Sequence, residues 1–396
     1  MQLIIPMRFF LLLIPLLQLG FTFYISFQIL LFGVLFWQLL KPLSAKESVS
    51  ILTFVLALFF LKYFVDSSIA TGADVLVTGR EAICFYVFML AVLFKGEEGA
   101  LLQKVEYLDE VRKYLRLFFC VSFLLVFIQS LLILGGWYVG FPSDWYIANQ
   151  GTYEGISEAL FYGTRIRPTG FYGEPSYMGF VLIALGAAYY KITKAMGRGS
   201  IDSFIYILII SSVLLLKSGA AIAALLVLLF VFEFKAVVRY WYVLTFLVVA
   251  FFLVGGDVVD RLMSNEEDVS FNVRFEIPLI IIREFIFSGD WVGVDIESLN
   301  RYVYLLDISS IDNSFLYLFL HYGFFSIVIF LFFAGAVIKR LGYFAFILFC
   351  LFMNFNGGIL SYDKVVVICY LFLILKMCSE KGLNLKVAGE LKGQSE

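Results

Sequence analysis

The stretch LFFCVSFLLVFIQSLLIL, from Leu117 to Leu134, decides the fold. It runs for eighteen residues without a charged side chain. A bilayer core about 30 Å thick needs about 20 helical residues per crossing, because an α-helix rises about 1.5 Å per residue. The stretch is therefore predicted to be a transmembrane helix, and the rest of the chain repeats its character.

The composition of the whole chain is that of a membrane protein. Hydrophobic residues make up 62% of the 396 positions and charged residues only 15%, which is far from the soluble average. We predict an all-α polytopic membrane protein that forms a single integral membrane domain over residues 1–396. Its twelve predicted spans are Ile4 to Leu19, Phe21 to Leu40, Ser48 to Val65, Ala82 to Phe94, Leu117 to Leu134, Ser176 to Tyr190, Ile201 to Leu216, Gly219 to Phe234, Tyr240 to Gly255, Ser314 to Ile338, Leu341 to Phe355, and Val365 to Met377.

The distribution of basic residues predicts the orientation, because lysine and arginine concentrate in cytoplasmic loops. With a cytoplasmic N-terminus, nineteen of the 29 basic residues lie inside and nine outside, and Lys62 lies within a span. Both termini are then cytoplasmic, including the polar tail 379–396. No small-residue cleavage site follows the first apolar stretch, so we expect that span to be retained.

Two predicted external loops, 135–175 and 256–313, are longer than a connection requires, and loops of this length usually carry function. The second loop holds twelve acidic residues against four arginines. It also contains an apolar-rich stretch that we expect to lie along the outer interface as a helix beginning near Pro278.

The sequence RIRPTGFYGEPSYMG, from Arg165 to Gly179, places two arginines and a carboxylate at the predicted outer boundary of the sixth span. Pro175 suits the first turn of a helix and holds Glu174 in an extended conformation. Ionisable groups at the mouth of a helix bundle must be solvated, paired or bound to a ligand. The alternatives are a binding site and a capped helix start in which Glu174 pairs with Arg167.

Other polar positions near the outer face also have two interpretations. Lys217 at a short outer turn and Arg283 in the second loop could bind an anion or reach to lipid headgroups. His321, the sole histidine, could carry protons or pack within the bundle. Aromatic residues could stack on sugars or form an interfacial belt; they are Tyr172, Tyr177 and Trp291.

These motifs together resemble the O-antigen and capsule repeat-unit polymerases of the Wzy type, which are relatives of the O-antigen ligases. The resemblance covers most of the chain. Its motifs are R-x-x-G-x-x-x-E-P-S-x-x-G at Arg167 to Gly179, a basic-Ser-Gly turn at Lys217 to Gly219, an arginine followed by a glycine turn at Arg274 to Gly293, and an acid-Asn-apolar run at Asp312 to Gly323. Asp312 stands where ligase relatives often have histidine, so a histidine base is not carried over.

The resemblance implies a GT-C-like fold in the bacterial cytoplasmic (inner) membrane, with an active site on the extracytoplasmic face. It implies transfer of a growing glycan from undecaprenyl pyrophosphate to the next lipid-linked repeat unit, without a metal or other cofactor. Arginine forks match phosphate oxygens, so the pyrophosphate would be bound by Arg165, Arg167, Arg274 and Lys217.

In the same reaction, Asp312 or Glu174 would accept the proton of the acceptor hydroxyl. Arg283, Asn313, His321, Tyr172 and Tyr177 would support the site. The implied partners are the lipid-linked oligosaccharide, membrane lipid and a chain-length-regulating co-polymerase, whereas the net charge of −2 indicates no surface for nucleic acid. Two alternatives stay open: an O-antigen ligase, and a flippase or transporter of lipid-linked glycans.

Overall fold

The computed structural model describes residues 10–22, 25–41, 43–67, 71–94, 101–137, 167–196, 203–239, 277–288, 291–299, 313–355 and 358–379. This part of the chain is almost entirely helical, apart from a short antiparallel pair of strands, β1 (Gly20–Thr22) and β2 (Ile25–Ser26). The helices, in chain order, are α1 (Phe27–Leu40), α2 (Ala45–Val65), α3 (Gly72–Leu93), α4 (Leu101–Leu134), α5 (Pro175–Ala195), α6 (Ser203–Leu215), α7 (Gly219–Arg239), α8 (Ile277–Ser288), α9 (Ser314–Tyr322), α10 (Phe325–Leu341), α11 (Tyr343–Met353) and α12 (Tyr362–Ser379).

Three segments of the described chain are long and apolar enough to cross a membrane: Lys46–Val65, Gly72–Leu93 and Val105–Leu134. The third segment also exposes a stripe of large apolar side chains at spacings of three and four residues, which is one face of a helix. This stripe consists of Leu117, Val121, Leu124, Ile128 and Leu131. Exposure of such an apolar face to water costs free energy, whereas exposure to lipid does not. The chain is therefore a helical membrane protein.

The chain divides into two compact units. Unit 1 comprises residues 1–31, 98–266 and 377–396, and unit 2 comprises residues 32–97 and 267–376. In unit 1, α4 packs against α5 and α6, and α5 packs against α7. In unit 2, α10 packs against α2, α3, α9 and α11, and α8 packs against α9.

Local sequence explains where α2 and α3 begin. Ser44 and Glu47 form a capping box, in which each side chain bonds the backbone N–H of the other residue, so α2 begins at Ala45. Thr71 caps α3 by accepting a hydrogen bond from the backbone N–H of Asp74. The predicted fourth span began only at Ala82, and this start was wrong: α3 begins ten residues earlier, at Gly72.

The second and tenth predicted spans also need correction. The second was expected to begin at Phe21, but α1 begins at Phe27 because Gly20–Thr22 pairs with Ile25–Ser26. The tenth was expected to be continuous, but it is broken between α9 and α10 at Gly323, whose φ is +53°. A Cβ at Gly323 would overlap the carbonyl oxygen of Trp291, so the break permits a close approach that only glycine allows.

Other predictions lie partly or wholly outside the described residues. The ninth span, most of the two external loops and the tail after Ser379 belong to this group. Within the second loop, the expected helix near Pro278 is confirmed, since α8 covers Ile277–Ser288.

Candidate functional site

The Arg167–Gly179 element of unit 1 forms a compact turn that leads into α5. Gly170 has a φ of +66°, and a Cβ there would press against the side chain of Met178. Glu174 is extended, with φ −127° and ψ 137°, and Pro175 occupies the first turn of α5. The predicted local structure, an extended Glu174 followed by a helix from Pro175, is therefore confirmed.

Gln129, near the C-terminal end of α4, fixes this turn. Its Oε1 accepts hydrogen bonds from the backbone N–H groups of Thr169 (3.1 Å) and Gly170 (2.8 Å), and its Nε2 donates to the Gly170 carbonyl at 3.3 Å. The side chain is 3% exposed. An irregular backbone at membrane depth must have its polar groups satisfied inside the protein, and Gln129 satisfies three of them at once.

The N-terminal segment holds the other side of the same turn. The Tyr172 hydroxyl donates to the Ile14 carbonyl at 2.7 Å, and the Gly173 N–H donates to Gln18 Oε1 at 3.1 Å. Tyr172 and Tyr177 are buried, and their rings pack edge to face with centroids 4.6 Å apart. Both rings thus support the turn from inside, and their burial does not favour the predicted stacking on sugars.

Arg167 and Lys217, fifty residues apart in sequence, meet in unit 1. Arg167 Nη1 donates to the Lys217 carbonyl at 3.3 Å, and both residues are half-buried. Lys217 has a φ of +51°, and within the described chain it is the only residue other than glycine with a positive φ. A long side chain in this conformation is unusual and is a pointer to function.

The N-terminal ends of α5 and α7 lie side by side next to these two basic residues. A Cβ at Gly179, in the second turn of α5, would overlap that of Ala221 in the first turn of α7. Helix N-termini carry a partial positive charge. The local environment therefore favours an anion. The positive charge comes from the N-terminal ends of α5 and α7, from the Arg167 guanidinium and from the Lys217 ammonium group.

Glu174 stands at the N-terminal end of α5. Its Oε2 accepts a hydrogen bond from Ser176 Oγ at 2.9 Å, and the carboxylate does not cap the helix. Within the part of the chain that the structure describes, the partner of this carboxylate is Ser176 rather than Arg167. The interpretation as a capped helix start paired with Arg167 is thus wrong on both counts.

The remaining predicted site residues divide between unit 2 and the part of the chain outside the described residues. Arg165, Arg274 and Asp312 lie outside. Arg283 is exposed on α8, with its guanidinium 5.9 Å from the ring centroid of Phe287.

Asn313 is a helix cap in unit 2. It is 4% exposed and caps α9 by accepting hydrogen bonds from the N–H groups of Phe315 and Leu316. Its Nδ2 also donates to Asn354 Oδ1 at 3.2 Å. These hydrogen bonds give Asn313 a structural role, which is to fix the start of α9.

His321 lies in the interior of unit 2, in contact with a buried lysine. Lys62 Nζ is 3.2 Å from His321 Nδ1 and 3.3 Å from Nε2, and it donates to the His321 carbonyl at 2.9 Å. Nζ also lies 4.9 Å from the ring centroids of both Tyr63 and Tyr322. Lys62 and His321 are both 0% exposed.

A buried carboxylate lies in the same region of unit 2. Glu81 accepts hydrogen bonds from the hydroxyls of Tyr317 (2.8 Å) and Tyr322 (2.6 Å), and the Arg80 guanidinium is 3.8 Å away. Asp74 accepts from the Ile296 N–H at 2.6 Å. Asp74, Thr78 and Glu81 are spaced by four and three residues, so they form one buried polar face of α3.

The sequence-based prediction missed this cluster, although a signal for it exists. Lys62 was recognised as lying within a span, and an ionisable residue at that depth is a functional candidate by default. Glu81 was not recognised because the fourth span was started one residue after it. A start at the Thr71 cap would have placed Asp74, Thr78 and Glu81 on one helix face.

Comparison with known proteins gives no relative from which a role could be transferred: no family model, no curated protein and no solved structure matches the chain. The interpretation of both polar regions therefore depends on their geometry and on general chemistry.

Proposed function

We propose that the protein is a polymerase of lipid-linked oligosaccharide repeat units in the bacterial cytoplasmic membrane. It would transfer the growing glycan from undecaprenyl pyrophosphate to a hydroxyl of the next lipid-linked repeat unit, on the outer face of the membrane. The proposal includes about twelve spans, a GT-C-like architecture and cytoplasmic termini. The observation that carries it is the contact of Arg167 with Lys217 beside the N-terminal ends of α5 and α7.

The chemistry of the donor explains why such an anion-favouring environment is useful. Pyrophosphate is the leaving group, so the protein must stabilise the negative charge that develops on it as the glycosidic bond breaks. A guanidinium binds phosphate oxygens as a bidentate fork, and helix N-termini add N–H donors that need no reorganisation. Arg167 and Lys217 would bind the diphosphate, together with Arg165 and Arg274.

The acceptor hydroxyl must lose a proton as the new glycosidic bond forms. A carboxylate within hydrogen-bonding distance serves as the base. Glu174, at the start of α5 and bonded to Ser176, and Asp312 are the two candidates. The proposal requires no metal ion and no nucleotide, because the donor is already activated by its pyrophosphate. A chain-length-regulating co-polymerase remains a proposed partner.

The rigid turn adds to the argument for catalysis. Charged groups stabilise a leaving pyrophosphate well only if they are already in position before the reaction. If they had to reorganise during the reaction, the free-energy cost of that movement would offset the stabilisation of the transition state. The bonds from Gln129, Gln18 and Tyr172 fix the backbone between Arg167 and Glu174 on both sides.

The experiment supplies purified protein with lipid-linked oligosaccharide and no nucleotide sugar, and then separates products by size. We expect longer glycans from the wild type. With Arg167→Ala the rate should fall on the order of 10²-fold or more, since loss of one charge-stabilising group has about this effect. Arg167→Lys should be intermediate because a lysine has no planar fork. The matched control is Arg340→Ala, an exposed arginine at the end of α10.

The outcome also separates the alternatives. Normal activity of Arg167→Ala at normal expression would contradict the proposed site. Transfer of preformed glycan to a different acceptor, without elongation, would identify a ligase. Movement of lipid-linked oligosaccharide across a vesicle membrane without any change in its length would identify a flippase. The observation that favours this second candidate function is the set of ionisable residues buried in unit 2.

A further inference from the structure

The N-terminal end of α7, in unit 1, is not capped by the serine that precedes it. Ser218 is the N-cap residue, because its carbonyl accepts the first helical hydrogen bond of α7, from the Ile222 N–H at 3.0 Å. A serine at this position normally accepts a second bond on its hydroxyl, from the N–H of the second or third helical residue. Within the described residues the Ser218 hydroxyl has no hydrogen-bond partner, although the residue is only 2% exposed. A hydroxyl shielded from water without a partner is unfavourable, and a bound ligand would remove this cost.

The backbone at the same helix end is open to a ligand. The first N–H groups of an α-helix have no partner inside the helix, and in α7 they belong to Gly219, Ala220 and Ala221. No group in the part of the chain that the structure describes accepts a hydrogen bond from these three. Gly219 is exposed, and a Cβ built there would meet no heavy atom within 4 Å. A ligand can therefore approach this end of the helix.

The neighbouring end of α5 offers fewer donors. Pro175 begins α5 and has no N–H, and the Ser176 hydroxyl is already bonded to Glu174. α7 begins instead with Gly219, which keeps its N–H, and follows a serine whose hydroxyl is uncommitted. Of the two adjacent helix ends, α7 is therefore the better one for binding an anion.

Two basic residues lie at the turn that leads into α7. Lys217 directly precedes Ser218, and Arg167 Nη1 donates to the Lys217 carbonyl at 3.3 Å. Hydroxyl and N–H donors close to a guanidinium and an ammonium group are complementary to a phosphate group, whose ionised oxygens accept several charge-assisted hydrogen bonds. The chemistry of this helix end thus favours a phosphate over a neutral ligand.

We propose that Ser218 and the N–H groups of Gly219 and Ala220 bind one phosphate group of the donor's diphosphate. The hydroxyl and the two N–H groups donate to phosphate oxygens, and the N-terminal end of α7 adds its partial positive charge. This inference rests on the proposed function for the identity of the ligand, and it makes Ser218 a substrate-binding residue rather than a helix cap. The phosphate of an anionic lipid headgroup has the same chemistry, so the experiment separates the two sources.

The experiment measures binding of inorganic pyrophosphate to the purified full-length protein in phosphatidylcholine nanodiscs. We expect Ser218→Ala to raise the Kd on the order of tenfold, since a hydrogen bond to a charged group contributes about this factor. Ser212→Ala is the matched control, because Ser212 is 1% exposed but its hydroxyl donates to the Leu208 carbonyl within α6 at 2.7 Å. Its Kd should equal that of the wild type. A wild-type Kd in Ser218→Ala would overturn the role of Ser218.

Thermal unfolding distinguishes a binding residue from a helix cap. Loss of a serine cap destabilises a protein whether or not a ligand is present. We expect Ser218→Ala to keep the wild-type Tm without pyrophosphate and to show a smaller increase in Tm when pyrophosphate is added. A lower Tm without pyrophosphate, together with an unchanged increase on its addition, would show that Ser218 only caps α7.

Gly219 provides an independent test of the backbone donors. Gly219→Pro removes the N–H at the first helical position, where proline suits the start of a helix. Gly219→Ala keeps this N–H and is the matched control, because its Cβ enters open space. We expect weaker pyrophosphate binding in Gly219→Pro than in Gly219→Ala. Equal binding in these two variants would exclude the Gly219 N–H from the site.

Two further comparisons identify the source of the phosphate and separate this site from the polymerase activity. If phosphatidylglycerol competes with pyrophosphate in the wild type but not in Ser218→Ala, the site binds a lipid headgroup and the assignment to the donor is overturned. If the wild type does not elongate lipid-linked oligosaccharide but its pyrophosphate binding depends on Ser218, the phosphate site stands and the polymerase proposal fails. Elongation that requires Arg167, with pyrophosphate binding that is independent of Ser218, would overturn only the role of Ser218.

Discussion

Replacing Gln129 with leucine tests whether the turn in unit 1 depends on a single buried side chain. Leucine has a similar volume but no hydrogen-bonding group, so the Thr169 and Gly170 N–H groups and the Gly170 carbonyl all lose their bonds to this side chain. A buried polar group left unsatisfied costs about 1–3 kcal/mol, although side-chain hydrogen bonds in membrane proteins average nearer 0.6 kcal/mol. We therefore expect a loss of about 2–4 kcal/mol in the free energy of unfolding, taking the three groups together.

The measurement is equilibrium unfolding of the purified protein in mixed micelles. Ser130→Ala is the matched control, because Ser130 is the neighbouring residue and its hydroxyl donates to the Val126 carbonyl within α4 itself. The control should lose less than about 1 kcal/mol. A Gln129→Leu variant as stable as the control, and equally active in glycan elongation, would refute the idea that this residue positions Arg167.

Further predictions concern three residues with unusual surroundings. Lys217→Gly should stabilise the protein by up to about 1 kcal/mol because glycine accepts a positive φ, yet it should slow elongation because the ammonium group is lost; an unchanged rate would exclude Lys217 from the site. Gly323→Ala should lower the unfolding free energy by about 2 kcal/mol or more, since a Cβ would overlap the Trp291 carbonyl. Gly335→Ala, inside α10 with open space around it, should cause no loss and should stabilise the protein by up to about 1 kcal/mol. Lys62→Met should leave stability within about 1–2 kcal/mol of the wild type, because an apolar isostere removes the desolvation penalty of the buried amine. A much larger loss of stability for Lys62→Met would indicate a structural role for the amine.

The sequence predicted the membrane class and the local structure around Glu174 because both depend on neighbouring residues. An apolar run of eighteen residues is sufficient for the class, and Pro175 alone restricts Glu174 and starts a helix. The break at Gly323 could not be predicted in the same way. A glycine inside an apolar run is compatible with a continuous helix, and only the packing of Trp291 against Gly323 selects the left-handed conformation.

The same distinction applies to the site. Arg167 and Lys217 were both selected from sequence, but their contact depends on the close packing of α5 against α7 at Gly179. Gln129 was not selected, because a glutamine inside an apolar span carries no charge that would draw attention to it. Its role becomes visible only when its three bonds to the backbone of a distant turn are known.

The two polar regions differ in what their burial implies. Gln129 bonds backbone groups that would otherwise be unsatisfied, so stability alone explains its presence in the membrane. Lys62 and Glu81 are both fully buried, and Lys62 also donates a hydrogen bond to the His321 carbonyl in the last turn of α9. Apolar residues of similar volume in place of buried ionisable groups are often neutral or stabilising. The bond to the His321 carbonyl gives Lys62 one structural role, whereas ionisable groups buried at this depth on α2 and α3 are also candidates for function.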